Sequence, residues 1–189
     1  MLIKNAFSVG YLHYNVEKNI ANKVENLVLG RLSNLETFSE LSTDFYSNKI
    51  ITLDEIKDLV KYINIGIRAY GENLNNITTS DSQILDYWVQ DYKQGQVHSR
   101  HNHGRSELAA VYWVRANEEA GALRLYNPNH QTSLWYPEVP IEFYNLYNRS
   151  YLDIVPNKGE IIIFPSYIDH EVLPGGKNCI RTTIAFNIT

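Results

Sequence analysis

Apolar residues change their spacing part-way along the 189-residue chain. Up to about residue 70 they recur at helical intervals. Val16, Ile20, Val24 and Leu27 mark one amphipathic helix of about three turns, and Ile56, Leu59, Val60, Ile63 and Ile67 mark a second. The second is announced by Thr52-Leu53-Asp54-Glu55, a capping box in which Thr52 and Glu55 satisfy each other's exposed amides. Ahead of the first, Ala6 to Tyr14 alternates loosely, as an opening strand does, and His13 within it reads as a partly exposed strand residue. Gly71 to Ser82, rich in Asn, Thr and Ser, predicts a loop. Beyond it the pattern becomes short apolar runs at 84–92, 108–114, 122–126, 151–155, 160–164 and 180–187. Between them lie turn residues: Gly95, Asn117 to Gly121, Asn127-Pro128-Asn129, Pro156-Asn157-Lys158-Gly159 and Pro174-Gly175-Gly176. Many short strands so punctuated predict a sandwich or barrel, hence a mainly β protein with flanking helices packed on the outside of a sheet. The two helices are too few to bury themselves, so the polar loop after them is not a domain boundary. A single domain over 1–189 is expected.

Composition narrows the function classes. The chain is long enough for one well-buried domain and short for two. Its formal charge of −4 comes with scattered Lys and Arg, without the basic clustering that marks a nucleic-acid surface, so no nucleic-acid partner is expected. The single cysteine, Cys179, excludes an internal disulfide framework and suits a reducing compartment. The opening residues lack the apolar core of a secretion signal, and no apolar run is long enough to cross a bilayer. These features predict a cytoplasmic protein with no membrane partner; assembly with further copies of itself stays open.

The candidate chemistry begins at Gln96-Val97-His98-Ser99-Arg100-His101-Asn102-His103, which holds three of the six histidines. Side chains two apart on an extended segment leave from one face, so His101 and His103 can converge, while His98 has the opposite parity and is predicted to face away. Neutral imidazoles are common ligands of divalent transition metals, and two on one edge leave a facial position to be filled from elsewhere. His170 is the candidate. The competing reading is a solvated strand end. On the last strand Arg181, Thr183 and Asn187 share one face, opposite Ile180, Thr182, Ile184 and Phe186. An arginine facing inward from a hydrophobic strand asks for an anionic partner, since an unpaired buried guanidinium is costly. The alternative for Arg181 is a surface ion pair.

Taken in order, these residues resemble a family of 2-oxoglutarate- and Fe(II)-dependent oxygenases found in phages and marine bacteria, distant relatives of prolyl hydroxylases. The resemblance runs through Trp88 and Gly95, His101-Asn102-His103, Ala110-Val111-Tyr112-Trp113, Gly121-Ala122-Leu123 and Asn127-Pro128. It continues through Pro156 to Gly159, Ile161-Ile162-Ile163-Phe164-Pro165-Ser166, His170, Arg181-Thr182-Thr183 and Phe186-Asn187. It covers about half of the chain, and the first third matches only in general character. The resemblance implies a double-stranded β-helix, or jelly roll, with its core over about 84–189 and helical support over about 15–70. It implies Fe(II) and 2-oxoglutarate as cofactors, O2 as co-substrate, and a small-molecule or protein substrate that the chain leaves unidentified. His101, His103 and His170 become the metal ligands and catalytic residues, with His103 where the wider superfamily has Asp. Arg181 takes the far carboxylate of 2-oxoglutarate, with Thr183 or Tyr112 adding a hydrogen bond, and Asn187 is a further cofactor contact. Against the cofactor role of Tyr112 stands an ordinary core aromatic.

Three neutral imidazoles also suit zinc with a bound water, so a zinc-dependent hydrolase and a cupin-like metal-binding jelly roll are the competing readings. Arg181 followed two positions later by Thr183 favours the oxygenase, because a hydrolase has no use for that pair facing the metal. A structural interaction module with solvated histidines is the third alternative. Residues 129–150, with Trp135, Tyr136, Tyr144 and Tyr147, read as a long connection across the mouth, either a binding surface or plain packing. His130 lies there and is not expected to ligate. Asp169 is expected either to accept a proton from a ligating imidazole or to cap a turn.

Overall fold

The computed structural model describes residues 9–33, 50–75, 82–129 and 149–189. The first residues of the expected opening strand and the aromatic connection, with His130, Trp135, Tyr136, Tyr144 and Tyr147, lie outside them.

Among the described residues nine strands and two α-helices follow in the order β1 (Leu12–Asn15), α1 (Lys18–Ser33), α2 (Lys57–Tyr70), β2 (Ile84–Tyr92), β3 (His98–His101), β4 (Leu108–Ala116), β5 (Leu123–Tyr126), β6 (Tyr151–Ile154), β7 (Glu160–Pro165), β8 (His170–Val172) and β9 (Arg181–Ile188). They form a larger sheet in the order β1-β7-β4-β9-β2 and a smaller one in the order β3-β8-β5-β6. Every pairing is antiparallel. Two facing sheets with helices on one outer surface make the jelly roll implied by the resemblance.

Alternation along the strands of the larger sheet divides the core in two. Tyr112, Val114, Ile161, Ile163, Ile184, Phe186 and Ile188 face the helices and pack with Val24, Val28, Leu59, Ile63 and Ile67. Tyr92, Ala109, Trp113, Ile162 and Phe164 face the smaller sheet and meet Leu123, Leu125, Ile154 and Val172. The helices approach closely where Gly66 presents no side chain: a Cβ there would lie 2.1 Å from the Tyr14 hydroxyl and 2.6 Å from Ile163 Cδ1. That hydroxyl donates to the Tyr62 carbonyl at 2.9 Å.

The Thr52–Glu55 box closes, but on the turn ahead of α2, whose own N-cap, Ile56, has no side-chain cap bond. The Thr52 amide and hydroxyl donate to Glu55 Oε2 at 2.8 and 3.1 Å, and the Glu55 amide donates back to Thr52 Oγ1 at 3.3 Å. These bonds, with the Arg31 guanidinium at its other oxygen, hold the Glu55 carboxyl below its usual range. The expected loop after Gly71 starts instead as a π-helical turn, Gly71–Asn75. Gly71 keeps helical angles (φ −60°, ψ −47°), so the polar composition does not by itself end the helix. The two strands least visible as apolar runs, β3 and β8, are short and the most polar, and both carry histidines of the site. Gly95 (φ 71°) and Gly159 (φ 84°) adopt left-handed angles in the turns read at those positions.

Candidate metal centre

Strand β8 brings His170 beside His101, its register partner at the end of β3, while His103 follows two residues past that strand. His103 is held by its own amide, which donates to the Ser166 carbonyl at 2.9 Å. One nitrogen from each of the three rings lies within 4.8 Å of the others. The Nε2 atoms of His103 and His170 are 3.2 Å apart. His101 Nδ1 donates to the Ser99 carbonyl at 2.7 Å, and His170 Nδ1 donates to the Ile168 carbonyl at 2.9 Å. A carbonyl only accepts, so each of these rings carries its proton on Nδ1 and presents the Nε2 lone pair to the centre.

Burial keeps the group neutral. Desolvation, with the neighbouring imidazoles adding to it, pushes His103 down to about 4, His170 to about 3 and His98 to about 2, and desolvation also lowers His101. With His103 also protonated on Nδ1, three Nε2 lone pairs would converge, and a cation between them would relieve their repulsion. The donor set therefore fits a divalent transition metal held on one face, with an imidazole where a carboxylate is more usual.

His98 departs from its expected orientation. It is buried, its ring stacks on His101 with centroids 3.8 Å apart and planes 17° apart, and it lines the same cavity. The pairing explains why. Three steps along β3, from His98 to His101, match two along β8, from Val172 to His170, so the extra residue breaks the strict alternation and turns His98 inward.

A cavity open at its mouth lies between the sheets. The histidines line it together with Arg181, Thr183, Tyr92, Gln90 and Trp88. Arg181 is 1% exposed, and no carboxylate among the described residues pairs with it. Its Nη1 donates to the Gly121 carbonyl, its guanidinium carbon lies 5.0 Å from the Tyr92 ring centre, and its Nε is buried without a partner among the described residues. Desolvation lowers its pKa, so the charge is held at a cost that an anionic ligand would relieve. Tyr92 hydrogen-bonds Gln90 through its hydroxyl at 2.9 Å, and burial pushes its phenol up to about 12.

Of the other residues singled out in the sequence, Thr183 lines the cavity. Asn187 is on the same face of β9 but is not part of the lining, and its Oδ1 is buried with no partner among the described residues. Tyr112 is not brought to the site. It alternates onto the helix-facing side of β4, within the core of Ile161, Ile184 and Val24, where burial raises its phenol pKa. Asp169 binds Arg100 and Asn102 through its two oxygens. Tyr92, Gln90 and Trp88 were missed as cavity residues. They have one parity on β2 and stand opposite Arg181, Thr183 and Ala185, so pairing β2 with β9 in register would have found them.

A family model described as "Putative 2OG-Fe(II) oxygenase" matches residues 86–187, over half of the chain. The chain belongs to this family. It is thus a 2-oxoglutarate-dependent oxygenase, an oxidoreductase whose cofactors are Fe(II) and 2-oxoglutarate. Solved structures agree with this oxygenase on the fold. A Pseudomonas putida prolyl-4-hydroxylase is 15% identical with a TM-score of 0.56, covering 95% of this chain and 87% of its own. A Trichoplax adhaerens prolyl hydroxylase, in complex with a hypoxia inducible factor peptide fragment, is 16% identical with a TM-score of 0.62, covering 94% and 83%. HygX from Streptomyces hygroscopicus, with nickel and 2-oxoglutarate bound, is 12% identical with a TM-score of 0.61, covering 96% and 82%. No curated protein matches the oxygenase in sequence. Among its described residues no helix is long and apolar enough to cross a membrane.

Proposed function

We propose that this oxygenase hydroxylates an as yet unidentified small-molecule or protein substrate, with His101, His103 and His170 holding Fe(II) and Arg181 binding the far carboxylate of 2-oxoglutarate. The observation that carries this reading is the placement, in one cavity, of three converging imidazoles and a buried guanidinium with no acidic partner among the described residues. With Fe(II) and 2-oxoglutarate bound, O2 would be the oxidant: one of its oxygen atoms would go into succinate as 2-oxoglutarate loses CO2, and the other into the hydroxyl formed at a substrate C–H bond. The protein's own residues supply the rest. Ser99 and Ile168, through their carbonyls, keep the protons of His101 and His170 on Nδ1 and leave Nε2 for the metal. Arg181 offers a planar fork suited to a carboxylate, braced by the Gly121 carbonyl and the Tyr92 ring, and Thr183 stands two residues on beside it. Trp88, Phe164 and Val172 line the cavity with apolar surface that keeps water from the reacting centre.

The ligand assignment is tested by elemental analysis of purified variants. His101→Ala and His170→Ala are each expected to lose stoichiometric iron while staying folded. His103→Asp is expected to retain it, because a carboxylate reaches from the same position, and His103→Ala to lose most of it. Unchanged iron in the His101→Ala and His170→Ala proteins would contradict the assignment.

A further inference from the structure

The three imidazoles sit on two segments that the backbone joins through a short, irregular ladder and the His103 amide bond to Ser166. Strand β3 is at the edge of the smaller sheet, its pairing with β8 is interrupted between His98 and His101, and His103 lies beyond the strand altogether. On the side of these segments away from the ligands, one carboxylate joins them. Asp169 Oδ2 accepts from Arg100 Nε at 3.0 Å and Nη2 at 2.8 Å, and Asp169 Oδ1 accepts from Asn102 Nδ2 at 2.8 Å. Arg100 precedes His101, Asn102 separates His101 from His103, and Asp169 precedes His170. Each residue of the triangle is thus bonded covalently to at least one candidate ligand. Two further contacts fix the triangle to the smaller sheet: the Arg100 guanidinium lies 4.0 Å from the Tyr126 ring centre, and the Tyr126 amide donates to the Asp169 carbonyl at 2.8 Å.

We infer that Asp169, with Arg100 and Asn102, is a clamp that positions His101, His103 and His170 for the metal. The inference rests on the ligand assignment proposed above. The Arg100 and Asp169 side chains are 41% and 31% exposed, and an ion pair so open to water adds little to global stability. Its effect is local. Beyond the short β3–β8 ladder and the His103 amide bond to Ser166, it fixes the spacing and direction of the two ligand-bearing segments, so its loss is read in metal affinity and not in unfolding.

The hydrogen bond between residues 102 and 169 can be rebuilt with reversed polarity while Arg100 keeps donating to residue 169. In the Asn102→Asp, Asp169→Asn double variant, the new amide oxygen accepts from Arg100 and its NH2 donates to the new carboxylate at 102, at unchanged net charge. Metal-free full-length protein is titrated with Co(II), a redox-stable stand-in for Fe(II), by visible absorption and calorimetry. Asp169→Asn alone is expected to weaken Co(II) binding roughly tenfold, the lower end for residues that orient metal ligands. Its unfolding midpoint in the absence of metal should match that of the wild type. The double variant is expected to recover most of the lost affinity, the non-additivity that marks a direct pair. Equal Co(II) affinity in wild type and Asp169→Asn would overturn the clamp alone, as would a double variant no better than the single one. Failure of the wild type itself to bind Co(II) would overturn the ligand assignment and the clamp with it.

Discussion

Four histidines crowd the cavity, and the way they are kept neutral has a consequence for stability. The folded protein pushes His98, His103 and His170 down to about 2, 4 and 3, mainly by burial, whereas in the unfolded chain they titrate near the ordinary value of 6.5. Between roughly pH 6.5 and 4 the unfolded state therefore binds more protons than the folded one, and stability falls as pH falls through that window. Each such proton contributes about 1.4 kcal/mol per pH unit. Urea unfolding of the metal-free protein is expected to show a clear loss of stability from pH 7 to 5.5, above the range in which ordinary carboxylates titrate. A flat profile over that interval would contradict the burial of the histidines. The residue scale is also where reading the sequence succeeded and failed for one reason. Parity placed Arg181 and Thr183 on the cavity face, where both are found. Parity also sent His98 outward, and it failed there because alternation holds only while the ladder is regular and the β3–β8 pairing is not. For Tyr112 it was overridden by the resemblance, and alternation along β4, which puts Ala109, Val111 and Trp113 toward the smaller sheet, already argued for the helix side.

The long strands and both helices were legible as elements because each buries a continuous apolar face. β2, β4, β7 and β9 begin and end within a few residues of the runs read from the sequence. β3 and β8 were not visible as such, since a strand of three or four residues carrying His, Ser, Arg and Glu has no hydrophobic period to detect. These short strands hold His101 and His170, with His103 two residues past β3, so the site was legible as a set of residue types before its framework was. Another element-scale feature left a sequence signal that was not used: a glycine inside the apolar stripe of α2. Gly66 lets the helix lie against Tyr14 and Ile163, and a methyl group there would collide with both. Gly66→Ala should gain about 1 kcal/mol of helix propensity, yet overpacking costs about 1–3 kcal/mol, so net destabilisation is expected. Denaturant unfolding measures the balance. A more stable variant would show that the contact yields easily.

At the scale of the whole molecule, the two sheets divide the labour of the cavity. The smaller sheet, through β3 and β8, supplies His98, His101 and His170, while the larger one, through β2 and β9, supplies Trp88, Gln90, Tyr92, Arg181 and Thr183. A ligand with a metal-chelating end and a distant carboxylate would bridge the two sheets, which is the property that distinguishes 2-oxoglutarate from a simple metal ligand. Arg181 is proposed to receive that carboxylate, and anaerobic calorimetric titration of 2-oxoglutarate into the Fe(II)-loaded protein reads that contact without turnover. Arg181→Lys keeps the charge but loses the planar fork. Its affinity for 2-oxoglutarate is expected to fall by roughly tenfold to a thousandfold, on the order of 1.5 to 4 kcal/mol for a desolvated bidentate pair. Equal binding by wild type and Arg181→Lys would contradict that role of Arg181.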